Sequence, residues 1–270
     1  MTAAVTSGAT ARVTTRRGVT SDVLVLGDPA SPPLVYLHSA AGHLGGEPLL
    51  ERLAARFHVV APVWPGYSDH PGEELLEDML DFALHGSDVV AALSLGATPH
   101  LVGHSMGGMI AAEMAALSPA SYARVVLISP LGLWLDEHPV VDIFSLLPFE
   151  FPEYLFEDTA AGAALLTGGL DFDDPEAIKE FLIRNSRRLG TAGKILFPIP
   201  DRRAAKRLYR VANPALVVWG DADRLVPPVY ARAWADRLPD ARVAYVDGGR
   251  HMVPYERADD VAELVAAFLT

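Results

Sequence analysis

Ser105 lies in the run Gly103-His104-Ser105-Met106-Gly107-Gly108, with a glycine two positions before it and another two positions after it. Small residues in those places let a chain turn sharply from a strand into a helix, and they push the apex residue into a strained backbone conformation. A serine held at such an apex is exposed for nucleophilic attack, provided that a base takes its proton. The helix after it offers unpaired backbone N–H groups and a positive dipole end, both suited to a developing oxyanion. Among nine histidines, His251 is the candidate base. It follows Gly248 and Gly249, which permit a tight turn, and it sits between the last apolar run and the last helical pattern. A histidine acting as base needs a carboxylate to fix its tautomer and stabilise its imidazolium. Asp221 and Asp223 stand two residues apart in one loop, and on spacing alone either could serve.

These groups are far apart in the chain, so the elements between them must bring them together. Short apolar runs predict buried strands at Leu34 to Leu37, His58 to Ala61, His100 to Val102, Val125 to Ile128, Ala215 to Trp219 and Val243 to Val246. Helical periodicity separates them, at about Glu47 to Arg56, Glu73 to Leu95, Met106 to Leu117, Val229 to Leu238 and Asp259 to Leu269. Strands this short and apolar, alternating with helices, imply a mostly parallel, doubly wound α/β sheet covered on both faces. About eight strands are expected, with the segment from Arg12 to Leu26 supplying an antiparallel pair at one edge. In such a sheet Ser105 and His251 share one edge.

The alternation breaks between Pro130 and Arg210. Residues 1–130 and 211–270 are therefore read as the core, and 131–210 as a helical lid insertion. Charge is sorted within it. Twelve acidic residues lie from Asp136 to Glu180 against Lys179 alone, and nine basic residues from Arg184 to Arg210 against Asp201 alone. The two halves are expected to pair with each other or to face solvent. A sharper alternative is that some arginines face the cleft and attract an anionic substrate.

The elbow around Ser105 resembles that of the α/β-hydrolase superfamily, and the likeness runs from about Leu34 to the C-terminus. His38-Ser39-Ala40-Ala41-Gly42 resembles the family's oxyanion loop, with Ser39 in place of a usual glycine. Pro65-Gly66-Tyr67-Ser68 resembles a turn in which Tyr67 replaces a second glycine. Trp219-Gly220-Asp221-Ala222-Asp223 resembles the acid loop, and Gly248-Gly249-Arg250-His251 the histidine loop. The resemblance implies Ser105 as nucleophile, His251 as base and Asp223 as the orienting acid, in the chain order of this fold. It places the backbone donors of the oxyanion hole at Ala40 and Met106. The other position where such enzymes carry an acid holds Ser129-Pro130. His104 and His38 are expected to be structural, whereas His43 and His70 lie in loops that could border a pocket.

The implied reaction is acyl transfer to water: hydrolysis of a carboxylic ester or lactone through an acyl-enzyme on Ser105. Alternatives on the same site are a C–C bond hydrolase of ring-cleavage products, a cofactor-free perhydrolase of the haloperoxidase type, and a non-catalytic ligand-binding protein. Candidate substrate contacts are Ser39 and His43, the lid aromatics Phe144, Phe149 and Tyr154, and Met252 beside the base.

Composition narrows the remaining classes. Half of the 270 residues are apolar, and the formal net charge of −12 disfavours nucleic acid as a partner. With no cysteine, thiolate chemistry, disulfides and cysteine-bound metals are excluded. No dinucleotide fingerprint, phosphate loop or helical histidine pair is present, so neither a cofactor nor a metal is expected. The sequence shows no apolar leader segment and no membrane-length apolar run, so a cytoplasmic protein, monomeric or homodimeric, is expected to act on a small ester-like molecule, hydrophobic or anionic.

Overall fold

The computed structural model describes residues 9–171, 173–199 and 203–270. Eight strands form one sheet: β1 (Ala9–Thr14), β2 (Thr20–Leu26), β3 (Pro33–Leu37), β4 (His58–Pro62), β5 (His100–His104), β6 (Val125–Ile128), β7 (Ala215–Gly220) and β8 (Ala241–Val246). Their spatial order is β1-β2-β4-β3-β5-β6-β7-β8. The β1–β2 and β2–β4 pairs are antiparallel and the other five pairs are parallel, so the antiparallel pair lies at one edge as expected.

Alternate strand residues divide the core between two faces. Val35, Leu37, Leu127, Val217 and Trp219 point to one side. There they meet α2 (Met79–Leu93), α3 (Met106–Leu117) and α7 (Val229–Ala235), through Phe82, Met109 and Trp234 among others. Leu34, Tyr36, Val126, Ile128 and Val218 point to the other side. That side is covered by α1 (Pro48–Leu53) and α9 (Ala258–Leu269), through Leu50, Leu53, Val261 and Val265. Burial on both faces is why these strands read as apolar runs rather than as alternating patterns.

Helix boundaries differ from the periodicity. The stretch from Glu73 to Leu95 is a single 3₁₀ turn at Glu73–Leu75 followed by α2. Asp78 separates them, because its carboxylate caps α2 by accepting from the amides of Leu80 and Asp81. The helices at Pro48–Leu53 and Val229–Ala235 are shorter than their patterns.

Between β6 and β7 run α4 (Phe151–Leu155), α5 (Thr159–Thr167) and α6 (Pro175–Leu196), with two 3₁₀ turns after them and no strand among the described residues. Several of their charges pair with residues outside the segment. From the basic part, Arg187 binds Glu73, Arg207 binds Glu113 on α3, and Lys194 reaches the Glu73 carbonyl. From the acidic part, Glu157 binds Arg257. Each half is clamped to the sheet domain, which supplies the counter-charges. Among the described residues, no helix is long and apolar enough to cross a membrane.

Because β3, β5, β6, β7 and β8 are parallel, the loops after them open at one edge of the sheet. Those loops carry His38 to Gly42, Ser105, Ser129, Asp221 to Asp223 and Asp247 to His251.

Candidate active site

Ser105 joins β5 to α3 with φ 55° and ψ −115°, a left-handed conformation that a residue with a side chain adopts only when its surroundings enforce it. The enforcement is visible. Its N–H donates to Ile128 O at 2.8 Å, and its carbonyl accepts from Met109 N at 3.0 Å and Leu131 N at 3.3 Å. The flanking glycines have no room for a side chain. A Cβ on Gly103 would stand 2.3 Å from Gly107 O, and one on Gly107 would stand 2.1 Å from Leu37 O.

The hydroxyl so placed lies 2.8 Å from Nε2 of His251. Nδ1 of His251 lies 2.8 Å from Oδ2 of Asp223. The second oxygen of Asp223, Oδ1, accepts from the amides of Leu225 and Val226, both at 2.9 Å. Of the two aspartates in the loop, Asp223 meets the imidazole. Asp221 instead accepts from Gly248 N at 2.8 Å and so braces the start of the histidine loop. All three side chains are buried. Asp223 therefore dictates the tautomer: its carboxylate accepts a hydrogen bond from Nδ1–H, leaving Nε2 as an acceptor toward Ser105. That arrangement can draw a proton from the hydroxyl as it attacks.

The histidine loop is held from several sides. The acid loop crosses it through Ala222 N to Gly249 O (3.1 Å) and Arg250 Nη1 to Ala222 O (2.9 Å). His104 Nε2–H donates to the carbonyl of His251 at 2.8 Å. Complete burial of His104 and the neighbouring His251 ring pull its pKa down to about 3, so it stays neutral and serves as a fixed donor. Sequence reading assigned His104 to packing and gave no sign that it would hold this carbonyl. At Ser129 no carboxylate is offered: the residue is buried at φ 41°, and its hydroxyl has no hydrogen-bond partner.

The oxyanion loop is similarly fixed. His38 Nδ1–H donates to Ser39 O at 2.7 Å, and its Nε2 accepts from Trp64 N at 3.2 Å. Burial holds the His38 pKa well below its ordinary value, which keeps that single-proton form. Ser39 Oγ accepts from Ala41 N at 3.2 Å. Tyr67, the departure from the familiar turn, donates its hydroxyl to Ala40 O at 3.0 Å while its ring covers Gly42. The N–H of Met106, at the first position of α3, has no acceptor within its helix.

Residues 23–264 match the alpha/beta hydrolase family. The chain belongs to that family. It is 30% identical over 255 residues to a pimeloyl-[acyl-carrier protein] methyl ester esterase of Xanthomonas campestris, covering 88% of this chain and 95% of that one. It is 28% identical over 286 residues to rhodomycin D methylesterase DnrP of Streptomyces peucetius, covering 90% and 92%. A third relative is a dihydrolipoyllysine-residue acetyltransferase component of the acetoin cleaving system of Pseudomonas putida, 27% identical, of which this chain spans 65% of the length and is itself covered over 90%. Among solved structures, carboxylesterase CesB of Bacillus subtilis shares the fold with a TM-score of 0.72 at 21% identity, over 98% of this chain and 92% of that one.

In this α/β-hydrolase, Ser105 and His251 open onto a cavity of about 420 Å³. Ser39, Ala40 and Met252 border it beside the serine, and Phe149 borders it from the 131–210 segment. Further apolar walls come from Ile143, Phe151, Leu155, Phe181 and Leu189. Three expected contacts lie outside its wall. Phe144 is not in the wall, because its ring packs edge-on against Phe197 and over Gly193. Tyr154 packs against the larger buried cluster and likewise lies outside the cavity wall. His43 borders a smaller adjoining pocket of about 110 Å³, and His70 is turned away to Asp22 at 3.1 Å. Sequence reading singled out neither Arg188 nor Asn185, which border both spaces. The run of basic residues on α6 was the available signal for Arg188. Among the described residues no cluster suited to a metal ion occurs.

Proposed function

We propose that the protein hydrolyses a carboxylic ester or lactone through an acyl-enzyme on Ser105. The observation that carries this reading is the unbroken 2.8 Å and 2.8 Å chain from the Ser105 hydroxyl through His251 to Asp223, opening on a largely apolar cavity. The two methyl ester esterase relatives point the same way.

In the first half-reaction Ser105 Oγ attacks the ester carbonyl carbon while His251 Nε2 takes its proton. The carbonyl oxygen becomes an oxyanion, received by the backbone N–H groups of Ala40 and Met106. Collapse of the tetrahedral species expels the alcohol oxygen, which takes the proton back from His251. Water then enters and attacks the acyl carbon while His251 takes its proton; the second tetrahedral species collapses, the bond from Ser105 Oγ to the acyl carbon breaks, and His251 returns the proton to Oγ as the acid leaves. Asp223 stays ionised throughout and stabilises the imidazolium. Residues 131–210 act as a lid over the site. The acyl or alcohol portion lies against Phe149, Phe151 and Leu155, where removal of apolar surface from water drives binding.

The test is turnover of a panel of p-nitrophenyl esters and lactones by wild type and Ser105→Ala. Turnover by the wild type and its loss in the variant support the reading. A folded wild type that turns over none of them, or a variant as active as wild type, overturns it.

A further inference from the structure

α6 carries two adjacent arginines with opposite fates. Arg187 makes four hydrogen bonds: two to the Glu73 carboxylate, one to Ser68 O and one to His70 O. Arg188 forms no hydrogen bond and no ion pair with any described residue, although it is partly buried and borders both the main cavity and the side pocket. A guanidinium has five donors in a planar fork and stays charged at any ordinary pH. Its nitrogens are not sealed off from solvent, so the fork faces the cavity with its donors free to exchange water for a ligand.

The surroundings sharpen the point. Among the described residues, no aspartate or glutamate borders either cavity. Arg184 stands beside Arg188 on the side-pocket wall, and its repulsion, added to burial, lowers the Arg188 pKa. Asn185 and Thr167 border the same two spaces and can add neutral donors. The whole chain carries a formal charge of −12, yet this wall of the active-site cavity is positive and unneutralised. An anion arriving there would relieve the repulsion and satisfy the fork. In a largely apolar cavity such a charge-assisted pair is stronger than at an exposed surface.

We propose that Arg188 binds a carboxylate carried by the substrate, so that the preferred substrates are esters or lactones with an apolar body and a second, free carboxylate remote from the scissile bond. This rests on the ester-hydrolase reading above and specifies its substrate class. A planar carboxylate matches the guanidinium fork with two parallel hydrogen bonds, and its single charge balances that of Arg188.

The test compares p-nitrophenyl hemi-esters of the dicarboxylic acids from succinic to suberic with neutral p-nitrophenyl esters of equal chain length, by kcat/KM. At one or more lengths the hemi-ester is preferred, and raising the ionic strength lowers that preference. In Arg188→Met the hemi-ester to neutral ester ratio falls by about tenfold to a hundredfold, as for loss of a charge-assisted hydrogen-bonded pair. Arg188→Lys restores part of it. Titration of Ser105→Ala with the intact hemi-ester by calorimetry, with and without Arg188→Met, reads binding without chemistry. The proposal is overturned if wild type turns over both series with no preference at any length, or if Arg188→Met leaves the ratio and the binding unchanged. If folded wild type turns over neither series, the hydrolase reading has failed, and the calorimetric comparison alone decides Arg188.

Discussion

Replacing Asp223 by Asn should disable the site by proton placement rather than by disorder. In the native protein Oδ1 of Asp223 accepts from two backbone amides, Leu225 and Val226, while Oδ2 faces His251 Nδ1. An asparagine has one acceptor oxygen and one donor NH₂. With the oxygen left against the two amides, the NH₂ faces Nδ1, which must then act as acceptor. The imidazole proton moves to Nε2 and confronts the Ser105 hydroxyl, so the base can no longer accept. Flipping the amide would restore the tautomer but set the NH₂ against both backbone donors. Leaving two buried donors unmatched costs about 1–3 kcal/mol each, or about 2–6 kcal/mol together. At about 1.4 kcal/mol per tenfold change, only about 4 × 10⁻² to 5 × 10⁻⁵ of molecules retain a usable base. Loss of the carboxylate charge beside the imidazolium adds to this, so kcat should fall by about 10⁴-fold, as for the same substitution in other triads. The assay is steady-state hydrolysis of whichever p-nitrophenyl ester wild type turns over best, with thermal unfolding and circular dichroism to verify the fold. Asp221→Asn is the control, since Asp221 contacts a backbone amide and not the imidazole. A kcat for Asp223→Asn within tenfold of wild type, or an equal loss in Asp221→Asn, would refute the reasoning.

Three further outcomes follow from the same geometry. Gly107→Ala puts a methyl group 2.1 Å from Leu37 O, a backbone atom that cannot step aside, so the variant should lose about 1–3 kcal/mol or more of stability in urea unfolding; an unchanged midpoint would mean the elbow is looser than described. Tyr67→Phe removes the bond to Ala40 O and should lower kcat about fivefold with little change in KM, the rate equivalent of a ~1 kcal/mol hydrogen bond that positions the oxyanion loop; a change confined to KM would speak against that role. Burial pulls the His85 pKa down to about 4. The unfolded chain therefore binds a proton that the folded one does not between about pH 6.5 and 4, and stability, full above that range, should decline as pH falls through it, by a few kcal/mol at about 1.4 per pK unit. Urea midpoints measured across that range check the trend, and His85→Gln should make the decline shallower by the His85 share, with His38 and His104, also held neutral by burial, supplying the rest.

Much of the scaffold was readable in the residues because the strands are buried on both faces. Leu34 to Leu37 and Val125 to Ile128 had to be apolar at every position, and the antiparallel pair beginning near Arg12 lies where the pattern put it. Helix limits were less legible because a single side chain sets them: Asp78 caps α2 five residues after the periodicity begins at Glu73. The glycines around Ser105 were legible since they answer to backbone collisions that nothing else could relieve. The contacts of the 131–210 segment were not, because an aromatic residue there satisfies the same pattern whether it packs inward or lines the cavity. Phe149 does the second, whereas Phe144 packs against Phe197 and over Gly193. Charge sorting left the partners open in a similar way, since mutual pairing, solvated faces and cleft-facing arginines all fit it; the pairs formed include Glu73, Glu113 and Arg257 outside the segment. Tyr67 broke a family pattern and turned out to tie two loops together, which no spacing rule would reveal.

The central claim is that Ser105 is a nucleophile activated by His251. Its most direct test is mass spectrometry of the intact protein after incubation with a fluorophosphonate probe, followed by mapping of the modified peptide. The account predicts one adduct per chain, located on Ser105, slowed severely by His251→Ala and absent from Ser105→Ala. Folded wild type that takes up no probe, or a Ser105→Ala protein that is labelled as fast as wild type, would contradict it.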